Sequence, residues 1–323
     1  MSRVVQVARF GGPEVLELRD QEVGEPAARE VRLRQTAIGL NFIDIYERTG
    51  LYPNPLPCGL GREAAGVVEA VGSAVRDLRV GDRVAYVLAQ SGAYAQTRCV
   101  PADRVVKIPS AISDEIAAAV MLKGLTAQFL LRRTYRVRKG DFVLIHAAAG
   151  GVGSIAVQWA RHIGARVIGV VGSSEKAELA AARGAEYVVL DSEDLPARVR
   201  EITRGRGVAV VYDSIGMDTF FASLDCLRPL GMMVTFGNAS GPVPPVAPLE
   251  LSKRGSLFLT RPTLFHYIAK RADLAKGARE LFDLIERGAI TAHIGQRYAL
   301  DEVAQAHADL AARRTTGSTV LLP

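Results

Sequence analysis

Phe142-Val143-Leu144-Ile145-His146-Ala147-Ala148-Ala149-Gly150-Gly151-Val152-Gly153 is the stretch that decides the fold of this chain. Its opening run is apolar and bounded by turn signals, as a strand buried on both faces must be. Small residues then follow to Gly153, and helical periodicity runs from Gly151 to Ile163. In that order, small residues let the backbone approach a pyrophosphate. The helix N-terminus adds free N–H groups and the positive end of its dipole. A glycine-rich match alone is weak; with a strand before it and a helix after it, this one points to a bound dinucleotide.

Outward from the turn, strands and helices alternate. Arg166 to Val171 reads as a second strand, Glu175 to Arg183 as a helix stopped at Gly184, and Tyr187 to Leu190 as a third strand. Leu195 to Thr203 is a helix, Val208 to Tyr212 a fourth strand, Thr219 to Leu227 a helix, Met232 to Phe236 a fifth strand, and Ser256 to Thr260 a sixth. This rhythm predicts a doubly wound parallel sheet. Before it, Asp114 to Leu131 is Ala-rich and helix-like. The first third is β-rich, with Arg3 to Ala8, Val31 to Ala37 and Gly66 to Val71 as strands and an irregular, Pro-rich Leu51 to Gly61. Toward the end come a helix over Leu274 to Arg287, another over Asp301 to Arg313 with Asp301 as N-cap, and a strand over Thr319 to Leu322, a tail expected to return to the N-terminal domain.

The choice of dinucleotide turns on the end of the second strand. An NAD site keeps an Asp or Glu there for the ribose 2′-OH, but this chain has Gly172, followed by Ser173 and Lys176. A hydroxyl and an ammonium suit a 2′-phosphate, so NADPH is the expected cofactor. Glu175 places a negative charge nearby, and Lys176 also fits an ordinary helix surface.

Composition narrows the remaining classes. The 323 residues suggest two domains, and 49% hydrophobic with 23% charged residues is a globular balance. No apolar run reaches membrane-spanning length, and Met1-Ser2-Arg3-Val4 enters a strand pattern directly, so a cytoplasmic protein is expected. Cys58, Cys99 and Cys226 form no CxxC pair and suggest neither a disulfide framework nor a thiolate zinc site. The net charge of +6 is scattered, and no stacking aromatics accompany it, so nucleic acid is not an expected partner.

The segments Gly39-Leu40-Asn41-Phe42-Ile43-Asp44, Gly50-Leu51-Tyr52-Pro53, Gly61-Arg62-Glu63-Ala64-Ala65-Gly66-Val67-Val68, Lys123-Gly124-Leu125-Thr126-Ala127, Asp213-Ser214-Ile215-Gly216 and Phe236-Gly237-Asn238, with the dinucleotide turn, resemble the medium-chain dehydrogenase/reductase superfamily. Within it the chain is similar to the zinc-independent quinone oxidoreductases, the zeta-crystallin relatives. The resemblance implies an α/β fold with a GroES-like β-rich catalytic domain (residues 1–125 and 264–323) interrupted by a Rossmann NADPH-binding domain (126–263), and a homodimer.

The zinc-dependent members bind catalytic zinc through Cys, His and Cys. At those positions this chain has Asn41, Arg62 and Lys123, an amide and two cations that cannot build such a site. After Gly81-Asp82-Arg83-Val84 the sequence Gln90-Ser91-Gly92-Ala93-Tyr94 also lacks the thiols of a structural zinc loop. No metal is therefore expected. Without a Lewis acid to lower an alcohol pKa, reduction of a conjugated acceptor is favoured over alcohol oxidation.

Gly150, Gly151, Val152 and Gly153 are expected to carry the pyrophosphate, and Gly172, Ser173 and Lys176 the adenosine ribose and its phosphate. The resemblance implies ribose and nicotinamide contacts from Ser214, Phe236 and Asn238, further cofactor contacts from Asn41, Tyr46, Thr126 and Arg313, and a substrate cleft lined by Asn41, Asp44, Tyr46, Tyr52 and Lys123. Tyr46 and Tyr52 offer flat surface and hydroxyls to a quinone. Lys123 is expected to stabilise an oxyanion or to bridge to Asp44. Relatives place a Tyr beside the adenosine phosphate just after the third strand; here Asp191 stands there, a departure from the pattern. Two other readings share these motifs: an NADPH-dependent enone or enoyl reductase, and a non-enzymatic NADPH binder of the RNA-binding crystallin type. Hydride transfer and one-electron steps are equally compatible with the sequence.

Overall fold

The structure, a computed structural model, describes residues 1–87 and 90–323. Two compact units are present. One comprises Met1–Leu125, Ile268–Glu286 and Ala292–Pro323, the other Thr126–Tyr267 and Arg287–Thr291.

The second unit holds six parallel strands: Phe142–His146, Arg166–Val171, Tyr187–Leu190, Val208–Asp213, Leu227–Thr235 and Phe258–Thr260, first to sixth in chain order. In space they run third, second, first, fourth, fifth, sixth. The order reverses between the first and fourth strands, and open sheets of this kind take ligands at the carboxyl ends beside that reversal. All five residues of the first strand are buried, which is why it reads as an unbroken apolar run. Leu144, Ile168, Val189, Val211, Phe220 and Met233 form the core.

Differences from the sequence expectation have local causes. The sixth strand spans three residues, not five, because Ser256 takes a left-handed φ of 58° and Leu257 N–H donates to Leu251 O. The fifth starts at Leu227, well before Met232. The long helix from Asp114 ends at Phe129 and widens into a π turn over Leu130–Thr134. Asp301 is not an N-cap; it lies inside a 3-10 turn, Leu300–Glu302, that leads into the helix Val303–Ala311.

The first unit is built on the 11-residue strand Glu30–Leu40. Along one edge this strand serves two partners: Glu30–Arg34 pairs with Thr97–Pro101, and Ile38–Leu40 pairs with the closing strand Ser318–Leu322. On its other edge lies Glu63–Val71. Val31, Leu33, Ile38, Leu40, Ala64, Val68 and Tyr86 are buried in its core. The helix Phe42–Thr49, which the sequence reading passed over, begins after Asn41 and ends at Gly50, whose φ of 81° gives the left-handed cap that glycine favours. Among the described residues no helix is long and apolar enough to cross a membrane.

Candidate active site

The dinucleotide turn is tightly made. Ala147 adopts a left-handed φ of 51°, an uncommon state for a residue with a Cβ. Gly150 N–H closes the turn on Ala147 O at 2.8 Å. Gly150 itself is extended and caps the helix Gly151–Ile163. The first helical bond is Ser154 N–H to Gly150 O, so the N–H groups of Gly151, Val152 and Gly153 project from the helix end, as a pyrophosphate requires. A Cβ at Gly153 would stand 2.1 Å from Ala147 O. Only glycine fits there, and the cradle suits a dinucleotide.

Gly172 and Ser173 follow the second strand. Ser173 caps the helix Ser174–Ala182, its Oγ accepting from Lys176 N–H at 3.3 Å. That bond uses a lone pair and leaves the hydroxyl proton to donate, which fits a phosphate oxygen. Lys176 lies in the first turn of the same helix, half-buried.

The ends of the fourth and fifth strands are laced together. Asp213 is fully buried; its Oδ1 accepts from Ile215 and Gly216 N–H at 2.7 and 3.1 Å, and its Oδ2 from Thr219 Oγ1 and Ser223 Oγ at 2.7 and 3.2 Å. Ser223 Oγ also lies 2.8 Å from His146 Nε2. The Ser223 proton is used on Asp213, so His146 Nε2 carries its own proton and donates. Burial lowers the His146 pKa, opposed by the Asp213 charge. One buried chain thus links the residue before the dinucleotide turn to the loop after the fourth strand. Phe236 N–H donates to Asp213 O, Ala239 N–H to Ser214 O and Ser240 N–H to Ile215 O. Arg261 Nη1 donates to Gly237 O at 2.8 Å. Ser214, Phe236 and Asn238 are therefore held side by side.

In the first unit, Asn41, Asp44, Tyr46 and Lys123 are all buried and Tyr52 is partly exposed. The residue that organises them is Glu63, which carried no role in the sequence reading. Its Oε1 accepts from Asn41 Nδ2 at 2.8 Å and Lys123 Nζ at 3.2 Å, and its Oε2 from Leu122 N–H at 2.5 Å. Lys123 also donates to Leu40 O at 3.2 Å. The expectation that Lys123 bridges to Asp44 is corrected: its partner is Glu63, because Glu63 has no exposure and could not stand there uncompensated. Arg62 is likewise paired, its Nε donating to Glu47 Oε1 at 2.7 Å. At positions 41, 62 and 123 the structure therefore holds an amide and two cations already matched to carboxylates, which do not fit a zinc ion. Among the described residues no group of three His, Cys, Asp or Glu is placed to hold a metal.

Asp44 heads a second buried chain. Its Oδ2 accepts from Asn41 N–H and Tyr94 Oη, both at 2.8 Å. Tyr94 Oη lies 3.0 Å from His307 Nε2, and His307 Nδ1 lies 3.1 Å from Arg48 Nη1. A guanidinium only donates, so Nδ1 is bare, Nε2–H donates to Tyr94, and Tyr94 donates to Asp44. Burial, then the Glu47 charge, push Asp44 up to about 7 against its hydrogen bonds. Burial, then Arg48, push His307 down to about 3.

Tyr46 and Tyr52 meet edge to face, ring centroids 5.2 Å apart, and Tyr52 N–H donates to Tyr46 O. Thr126 is buried on the helix Asp114–Phe129, and Arg313 follows the helix Val303–Ala311 with a left-handed φ of 59°.

Residues 27–110 match the alcohol dehydrogenase GroES-like domain family, and residues 151–285 the zinc-binding dehydrogenase family. A quinone oxidoreductase of Pseudomonas aeruginosa is 56% identical, with all of both chains covered. A 2-haloacrylate reductase of Burkholderia is 48% identical over 98% of each. The crystal structure of Escherichia coli quinone oxidoreductase complexed with NADPH superposes with a TM-score of 0.98 at 47% identity over all of both chains. The chain belongs to the quinone oxidoreductases of the medium-chain dehydrogenase/reductase superfamily.

Proposed function

We propose that this protein is an enzyme that reduces quinones with NADPH and without a metal. The observation that carries it is the Glu63–Lys123 pair with Arg62–Glu47, which occupies the metal-ligand positions with matched charges. Full-length relatives named quinone oxidoreductase and a near-superimposable NADPH complex support it. When bound, the reduced nicotinamide supplies a hydride; a quinone accepts it without prior polarisation and takes one proton to become the hydroquinone. Gly150, Gly151, Val152 and Gly153 bind the pyrophosphate, and Ser173 and Lys176 beside Gly172 bind the 2′-phosphate. Ser214, Phe236 and Asn238 orient the nicotinamide, while Asn41, Thr126 and Arg313 keep the cofactor-binding roles that the resemblance implies. Tyr46 and Tyr52 present their rings to the quinone. Lys123 acts as a positioning residue through Glu63, since its charge is already neutralised.

The relative named 2-haloacrylate reductase favours a second reading, reduction of an activated carbon–carbon double bond. NADPH oxidation measured against a panel of quinones, enones and 2-haloacrylates separates the two. The highest kcat/KM is expected for a quinone, and an enone or haloacrylate ahead of every quinone would overturn the assignment.

The assembly we propose is a homodimer in the cytoplasm. The sixth strand pairs only with the fifth among the described residues, and Phe258 is 56% exposed on that edge. Pairing with a second copy would cover it. Light scattering at micromolar concentration should give twice the chain mass; a monomer would refute the dimer. Many cations are tied into ion pairs, Arg83–Asp114 and Arg166–Glu186 among them, and nucleic acid is not included as a partner.

A further inference from the structure

Gly172 occupies the place where an NAD site keeps its acid, yet an acid is close at hand. The second and third strands are parallel, with Val171 opposite Leu190, and Asp191 N–H donates to Val171 O at 2.9 Å. Asp191 is thereby carried alongside Gly172. A Cβ built on Gly172 would lie 3.2 Å from Asp191 Oδ2, with no other atom but Asp191 Cγ within 4 Å. The space beside residue 172 is therefore bordered by a carboxylate delivered from the neighbouring strand. Asp191 is exposed, and no protein donor is hydrogen-bonded to it among the described residues. The nearby Glu193 is committed, accepting from Leu190 N–H and pairing with Arg198.

We propose that Asp191 is the specificity-determining residue at the adenosine ribose. Its role presupposes the dinucleotide assignment made above. A carboxylate only accepts hydrogen bonds, so it takes the 2′-hydroxyl of NADH as the missing acid would. Against the 2′-phosphate of NADPH the same carboxylate is a like charge, opposing Lys176 and Ser173. Asp191 thus admits NADH and limits the preference for NADPH. At a separation of several ångströms near the surface, the repulsion corresponds to roughly a tenfold change in affinity, and salt screens it.

The test is a fluorescence titration of wild type and Asp191→Asn with NADPH and with NADH, at low and high salt. Thermal unfolding confirms that the exposed substitution leaves the fold intact. Asp191→Asn should tighten NADPH by roughly tenfold at low salt, less at high salt, and weaken NADH several-fold. If the wild type binds dinucleotide but the NADPH-to-NADH ratio is the same in the variant, the role of Asp191 is wrong and the dinucleotide assignment stands. If the wild type binds neither, both fall.

Discussion

Glu63→Leu will lower the unfolding free energy by about 3–5 kcal/mol, the range found when one partner of a buried ion pair is removed. The carboxylate is fully buried and serves three donors at once: the Lys123 ammonium, the Asn41 amide and Leu122 N–H. Leucine offers none of them an acceptor. The ammonium keeps only its bond to Leu40 O, and a buried cation without a counter-charge is the larger part of the cost. The double variant Glu63→Leu/Lys123→Met removes both charges and should recover most of the loss, since apolar replacement of a whole buried pair is often close to neutral. Urea midpoints of wild type, both single variants and the double variant measure this. A Glu63→Leu midpoint near that of wild type, or a double variant no better than the single, would contradict the account of Lys123 as a paired positioning charge.

Asp44→Asn will change how stability depends on pH. Asp44 is raised in the folded state, from an ordinary 3.8 to about 7. Its contribution is full below the unfolded value and is lost as pH rises through that window, by of order 4 kcal/mol. His307 is depressed, from 6.5 to about 3. Its contribution is present above 6.5 and is lost as pH falls. Between these limits the two slopes oppose each other, because folding moves a proton from imidazole to carboxyl without net uptake. The Asn variant removes only the Asp44 slope. Its own penalty, an amide donor where Asp44 Oδ1 has no partner, does not vary with pH. Relative to wild type, the variant should therefore gain stability steadily from about pH 4 to pH 7. Glu47, Glu63, Arg48 and Tyr94 surround the site and are common to both proteins, so they cancel in the difference. A difference in urea midpoint that is constant across this range would show that Asp44 is not raised.

The parallel sheet was the legible part of the molecule. Strands buried on both faces must be apolar throughout, and helices between them must begin and end at small or capping residues. Arg166–Val171, Tyr187–Leu190 and Gly151–Ile163 accordingly fall where their patterns put them. The β-rich unit was harder, because its short strands alternate weakly and meet partners far away in the chain. The helix Phe42–Thr49 did carry a signal, Asn41 before it and Gly50 after it, masked by the motif in which it lies. At the candidate site, residues announced by backbone needs, such as the small residues of the turn, could be read directly. Those defined by a partner could not. Nothing in local spacing joins Lys123 to Glu63, 60 positions away, or Arg48 to His307, 259 away. Burial decides these pairs, and burial is a property of the folded chain.

The chain from His146 through Ser223 to Asp213 has a consequence for how a ligand is received. Ser223 lies 77 positions from His146 and 10 from Asp213, yet its hydroxyl holds two turns of the sheet edge in one arrangement. That order is established in folding, by bonds wholly inside the protein. Binding therefore loses little loop entropy, and the contact energy of a dinucleotide is not diminished by immobilising the groups that meet it. The two turns also share a single latch, so neither can loosen alone.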